Sequence, residues 1–137
     1  MPDSQNILFV CTENAGRSQM AEAFFNKFSK SKFNVISAGT VPSVNLNPIV
    51  VFVMKEIGID MTQQKPKLLS DSMIENSFRT VNMGCMDNRN CPSLFVKDVI
   101  NWNISDPKNQ SIEEVRKIRD QIRSDVLKLI ASIEEKT

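Results

Sequence analysis

The order of local patterns predicts an α/β fold in one domain over residues 1–137: a four-stranded parallel sheet, doubly wound, with helices on both faces. Three observations lead there. Short apolar runs alternate with segments of helical periodicity along the chain. The first run, Ile7-Leu8-Phe9-Val10, is continuously apolar, as a strand covered on both faces must be. Cys11, Cys85 and Asp106 each lie just past a predicted strand, the edge at which open parallel sheets hold ligands.

The elements follow in order. Asn6 to Val10 is the first strand. Met20, Ala21, Phe24, Phe25 and Phe28 then recur at helical spacing through about Lys30. Phe33 to Ala38 reads as a second strand, ended by Gly39. Asn47-Pro48 puts a capping residue before a proline at the first helical position, and that helix runs through Ile57 to Gly58. Its β-branched residues also allow a strand, but the start signal and the length favour a helix. Ser70-Asp71-Ser72 caps a short helix from Met73 to Asn76. Phe78 to Met83 is a third strand, and a loop from Gly84 to about Lys97 leads to a fourth, Asp98 to Trp102. Ser111-Ile112-Glu113-Glu114 is a capping box. Val115, Ile118, Ile122, Val126, Leu129, Ile130 and Ile133 give the helix after it one apolar face to the C-terminus.

Composition narrows the chemistry. With 41% hydrophobic and 24% charged residues, the chain has the makeup of an ordinary soluble globular protein. A net charge of +1 offers no bulk attraction to nucleic acid or to a membrane surface. No apolar segment approaches the ~20 residues of a membrane span, and the N-terminus lacks a signal-peptide pattern. The expectation is a cytoplasmic monomer. There the three cysteines read as thiols with chemistry rather than as a disulfide framework. Histidine and tyrosine are both absent. Cysteine–histidine and serine–histidine mechanisms are therefore excluded, most metal sites go with them, and a general acid must be a carboxylate, a lysine or a thiol. The expectation is no resident metal or cofactor.

The candidate site is Cys11-Thr12-Glu13-Asn14-Ala15-Gly16-Arg17-Ser18, between a buried strand and a helix. Its small and polar residues, Glu13 apart, suit a loop whose backbone amides turn inward around an anion. A thiol at its floor meets those amides, the helix N-terminus and Arg17, all of which favour a thiolate. A cysteine and an arginine six residues apart are weak evidence alone, and a buried cysteine with a surface arginine is the plain alternative. An arginine in a helix's first turn, however, opposes the dipole unless it holds an anion. Phosphate and arsenate share shape and charge, so the loop by itself does not choose between them. Asp106-Pro107 reads either as a turn or as a general acid for the leaving oxygen. Cys85 and Cys91, taken separately, read as a core residue and a loop thiol. Together with Cys11 they permit a thiol–disulfide relay through a mobile loop.

The stretch from Cys11 to Ser18, continuing as Gln19-Met20-Ala21-Glu22, resembles the active-site loop of the low-molecular-weight tyrosine phosphatase fold. Within that fold the chain resembles the thioredoxin-coupled arsenate reductases. Ser37-Ala38-Gly39, Asn47-Pro48, Cys85 with Cys91-Pro92, and Asp106-Pro107 all match, so the resemblance spans essentially the whole chain. It implies that Cys11 attacks arsenate held by Arg17 and the loop from Thr12 to Ser18, and that Asp106 aids loss of water. It implies further that Cys85 attacks Cys11 and releases arsenite, that a Cys85–Cys91 disulfide forms, and that thioredoxin reduces it.

Several residues depart from the pattern. Five residues separate Cys85 from Cys91, where six is more familiar, and Glu13 stands where glycine is frequent. The phosphatase branch typically has tyrosines after its Asp-Pro, whereas Lys108-Asn109 follow here. Asn14, Glu22 and Ser37 match positions that hold potassium in some relatives, and the aspartate that would complete that site is replaced near Lys67. Two further readings stay open: a small-molecule or protein phosphatase, and a non-catalytic oxyanion sensor or metalloid-binding protein.

Overall fold

The computed structural model describes residues 6–29, 33–84 and 99–134. Four strands, β1 (Asn6–Cys11), β2 (Asn34–Gly39), β3 (Arg79–Asn82) and β4 (Ile100–Asn101), pair in the order β2-β1-β3-β4, all parallel. Four helices connect and follow them: α1 (Arg17–Phe28), α2 (Pro48–Lys55), α3 (Asp71–Glu75) and α4 (Ile112–Glu134). This is the parallel, doubly wound sheet that the sequence predicts. Its order puts β1 in the interior of the sheet, with a partner on each side, so the loop after Cys11 opens at the centre of the ligand-bearing edge.

The pleat divides β1 between two cores. Ile7, Phe9 and Cys11 face a large cluster built from α1, α2 and α4, including Phe24, Phe25, Val53, Met54 and Ile122. Leu8 and Val10 face a smaller one with Ala38 and Ile74, covered by α3 and by Leu69, Met73 and Val99. Each fully buried Val, Leu, Ile, Phe or Met side chain among these contributes about 1.5–3 kcal/mol of transfer free energy. Helices do lie on both faces, but unequally, with three against one face and five-residue α3 against the other. The nucleophile candidate is thus seated on the better-packed side.

The local start signals are realised as hydrogen bonds. The Asn47 side chain accepts from Ile49 N at 3.0 Å, with Pro48 opening α2. Ser70 Oγ accepts from Met73 N at 3.3 Å, which starts α3 at Asp71, two residues before the predicted start. Ser111 Oγ accepts from Glu114 N at 3.2 Å ahead of α4. The turn after α2 ends at Gly58, whose φ of 82° is the left-handed value that stops a helix. β4 is shorter than predicted, although Trp102 N still donates to Asn82 O at 3.0 Å beyond its end. Among the described residues no helix is long and apolar enough to cross a membrane.

Candidate active site

The β1–α1 loop is held open by its own carbonyls. The oxygens of Thr12, Glu13 and Ala15 accept from the amides of Val41, Ser43 and Asn47, each at 2.9 Å. With the carbonyls engaged outward, the loop's N–H groups are left to line its concave side. Gly16 caps α1 without a side-chain hydrogen bond, so the first-turn amides have no competing side chain from the cap. Gly39 is required beside the loop, because a Cβ there would come within 2.5 Å of Thr12 O and 2.9 Å of Asn14 N.

Asn14 fixes the loop's shape. It is fully buried with φ of 52°, and asparagine is one of the few residues that tolerates this region. Its Oδ1 accepts from Lys67 N at 2.8 Å and from Gln19 Nε2 at 2.9 Å, and its Nδ2 donates to Ser18 Oγ at 2.7 Å. Ser18 Oγ in turn lies 2.9 Å from Cys11 Sγ. Since the Ser18 oxygen accepts from Asn14, its single hydrogen is free to be donated to the sulfur, which stabilises a thiolate.

Arg17 is the first residue of α1, and its guanidinium is buried against the ends of two other segments. Nη1 donates to Met83 O at 2.9 Å and to Ile104 O at 3.2 Å, and Nη2 stands 3.6 Å from Asp106 Oδ2. Gly84 is what allows this approach, since a Cβ there would overlap the guanidinium. Thr12 Oγ1 donates to Gly84 O at 3.1 Å, which ties the same residue to the anion loop. Asp106 is half-exposed, accepts from Lys108 N at 3.0 Å in a local turn, and shares a cleft of about 400 Å³ with Cys11, Arg17, Asn47 and Ile49. The turn that the sequence allows at Asp106 is formed, and the same residue lines the cleft beside Cys11 and Arg17.

Glu13 does not point at the anion space unpaired. Its Oε2 accepts from Lys108 Nζ at 2.9 Å and its Oε1 from Ser43 Oγ at 3.1 Å. The hydrogen bond from Lys108, joined by that from Ser43, holds the Glu13 carboxyl below the usual carboxylate range despite partial desolvation. The same contact pushes the Lys108 ammonium up. Glu22 Oε1 accepts from Ser37 Oγ at 2.6 Å and lies 3.8 Å from Lys67 Nζ, which donates to Lys65 O at 3.0 Å.

Cys11, Asn14, Arg17, Ser18 and Asp106 thus converge at one edge of the sheet, with Thr12, Ala15 and Gly16 forming the loop between them. Cys85 and Cys91 lie outside the described residues. Residues that the sequence reading passed over are Gly84, the carbonyls of Met83 and Ile104, Ser43, and the pairing of Lys108 with Glu13. A glycine directly after a strand was the available signal for Gly84; backbone acceptors have none.

A family model for low molecular weight phosphotyrosine protein phosphatases matches residues 6–137. The chain belongs to that family. Within it, the chain is 36% identical over 121 residues to an arsenate reductase of Staphylococcus aureus (strain Newman), covering 87% of this chain and 91% of that protein. Among solved structures it superposes on a Corynebacterium glutamicum thioredoxin-dependent arsenate reductase with a TM-score of 0.80 at 31% identity, over 96% of this chain and 63% of that one. It superposes on an arginine phosphatase from Geobacillus stearothermophilus with a TM-score of 0.84 at 25% identity, over 96% and 94% of the two chains. Phosphatases and arsenate reductases of the family therefore share the scaffold, and the choice between them rests on side chains.

Proposed function

We propose that the protein reduces arsenate to arsenite through Cys11, Cys85 and Cys91, with thioredoxin as the reductant. The Cys11 thiolate attacks As(V), and one arsenate oxygen leaves as water with a proton from Asp106, which gives a Cys11–arsenic adduct. Arg17 and the loop amides hold the remaining oxygens. Cys85 then attacks the Cys11 sulfur. An S–S bond forms, the S–As pair of electrons passes to arsenic, and arsenite departs as As(III). Cys91 displaces Cys11 from Cys85, the Cys85–Cys91 disulfide holds the two oxidising equivalents, and thioredoxin returns it to thiols.

The observation that carries this reading is the position of Gly84. It accepts from Thr12 and packs on the Arg17 guanidinium, and the next residue in the chain is Cys85. A second cysteine directly after Gly84 in the sequence suits a relay, and phosphate ester hydrolysis does not use one. The arsenate reductases among the relatives support the same reading. A reducing compartment such as the cytosol, where the relay thiols return to the reduced form, suits this chemistry, and the cycle is complete within one copy of the chain.

Cys91→Ser decides the matter. It is expected to abolish multiple turnover with thioredoxin and thioredoxin reductase while leaving one arsenite released per protein in a single-turnover experiment. A phosphatase, the reading that the wider family favours, would keep full turnover of an aryl phosphate after Cys85 or Cys91 is changed.

Some relatives hold a potassium ion at the position matched here by Asn14, Glu22 and Ser37. A cation already faces Glu22 in the form of the Lys67 ammonium, and Asn14 Oδ1 is engaged by the Lys67 amide. We propose that Lys67 takes the place of the ion. Exchanging sodium for potassium at constant ionic strength is then expected to leave arsenate turnover unchanged within about twofold. A several-fold rise in potassium would contradict the replacement.

A further inference from the structure

We infer that the Glu13–Lys108 ion pair is a clasp across the cleft mouth that selects a free tetrahedral oxyanion against an organic phosphate ester. The inference rests on the oxyanion-site reading of the loop and adds a specificity determinant to it. The Glu13 carboxylate joins three segments that bound the cleft: its own anion loop, the segment at Ser43 through Oε1, and the segment after Asp106 through Oε2. A further backbone bond, Ser43 N to Glu13 O at 2.9 Å, anchors the residue from the other side. Glu13 and Lys108 both form part of the cleft wall with Cys11 and Arg17.

An anion seated on Arg17 and the loop amides presents its outermost oxygen toward Asp106. In arsenate or inorganic phosphate the molecule ends there. In an ester that oxygen carries an organic group, which must extend past Asp106 toward Lys108 and into the space that the pair crosses. Charge adds a second effect. Paired with Lys108, Glu13 presents no net charge to an incoming dianion; stripped of Lys108, it becomes a carboxylate beside an anion site and repels it. The pair therefore acts as a unit, and its members should not behave additively. Both side chains are partly exposed, so the contact contributes to selection rather than to fold stability.

Isothermal titration of inorganic phosphate and of phenyl phosphate into wild type, Lys108→Ala, Glu13→Ala and the double variant tests this. Lys108→Ala is expected to weaken phosphate by about fivefold or more, and removing Glu13 as well is expected to recover most of that loss. In the double variant the affinity for phenyl phosphate relative to phosphate is expected to rise about tenfold over wild type. Lys108→Gln, which keeps the side chain's bulk without its charge, is expected to reproduce the phosphate defect. An unchanged affinity ratio in the double variant, or losses that simply multiply, overturns the clasp while leaving the anion site standing. Failure of wild type to bind phosphate overturns both.

Discussion

Cys11→Ser is expected to stop arsenate reduction, with a loss of roughly 10⁴-fold or more, while phosphate still binds. A serine hydroxyl needs a base to become a nucleophile, and the chain contains no histidine to serve as one. The Ser18 hydroxyl now 2.9 Å from the sulfur can support an existing thiolate but cannot remove a proton. The redox step is lost as well, because no disulfide can form at position 11. Anion affinity has other sources, Arg17 and the loop amides, so calorimetry should still find phosphate bound. The two measurements are arsenite formation with a thioredoxin system and phosphate titration. Residual turnover above about one per cent would move the nucleophile elsewhere.

The second large effect is expected from Arg17→Lys. An ammonium keeps the charge but cannot hold Met83 O, Ile104 O and an oxyanion at once in the fixed geometry of a guanidinium. The expected cost is about 10²–10³ in kcat/KM, the range for losing an oriented oxyanion donor. The same change has a second, independent signature. Two carbonyls at the ends of separate segments lose a buried donor, at about 1–3 kcal/mol for each one left unsatisfied, so thermal denaturation should shift downward by several degrees. A variant that lost activity without any change in melting would leave Arg17 with a purely catalytic role and contradict its structural one.

Much of this was legible in the sequence, for reasons that differ by residue. The continuous apolar run at Ile7–Val10 suited an interior strand, and the strand order puts Cys11 at the middle of the sheet edge. Capping chemistry at Asn47, Ser70 and Ser111 is local, so its positions were readable to within two residues. The unequal covering of the two faces was not readable, because a periodic pattern gives a helix's length but not the face of the sheet that it covers. The partners of Arg17 were hidden because Met83 and Ile104 contribute backbone oxygens, which no side-chain code announces. Glu13 read as a charge placed badly for an anion site. Its partner lies ninety-five residues away, and only the fold brings Lys108 to it.

Asn14 has a thermodynamic consequence. Its left-handed backbone is locked by bonds to Lys67, Gln19 and Ser18, none of which depends on a ligand. The conformational entropy of shaping the loop is therefore lost once, when the chain folds, and not again at each encounter with an anion. Association should then proceed at a rate set by diffusion and charge, with little heat-capacity change, since no apolar surface is rearranged as the oxyanion enters. The affinity of the site is in this sense stored in the native state, and whatever loosens Asn14 releases it.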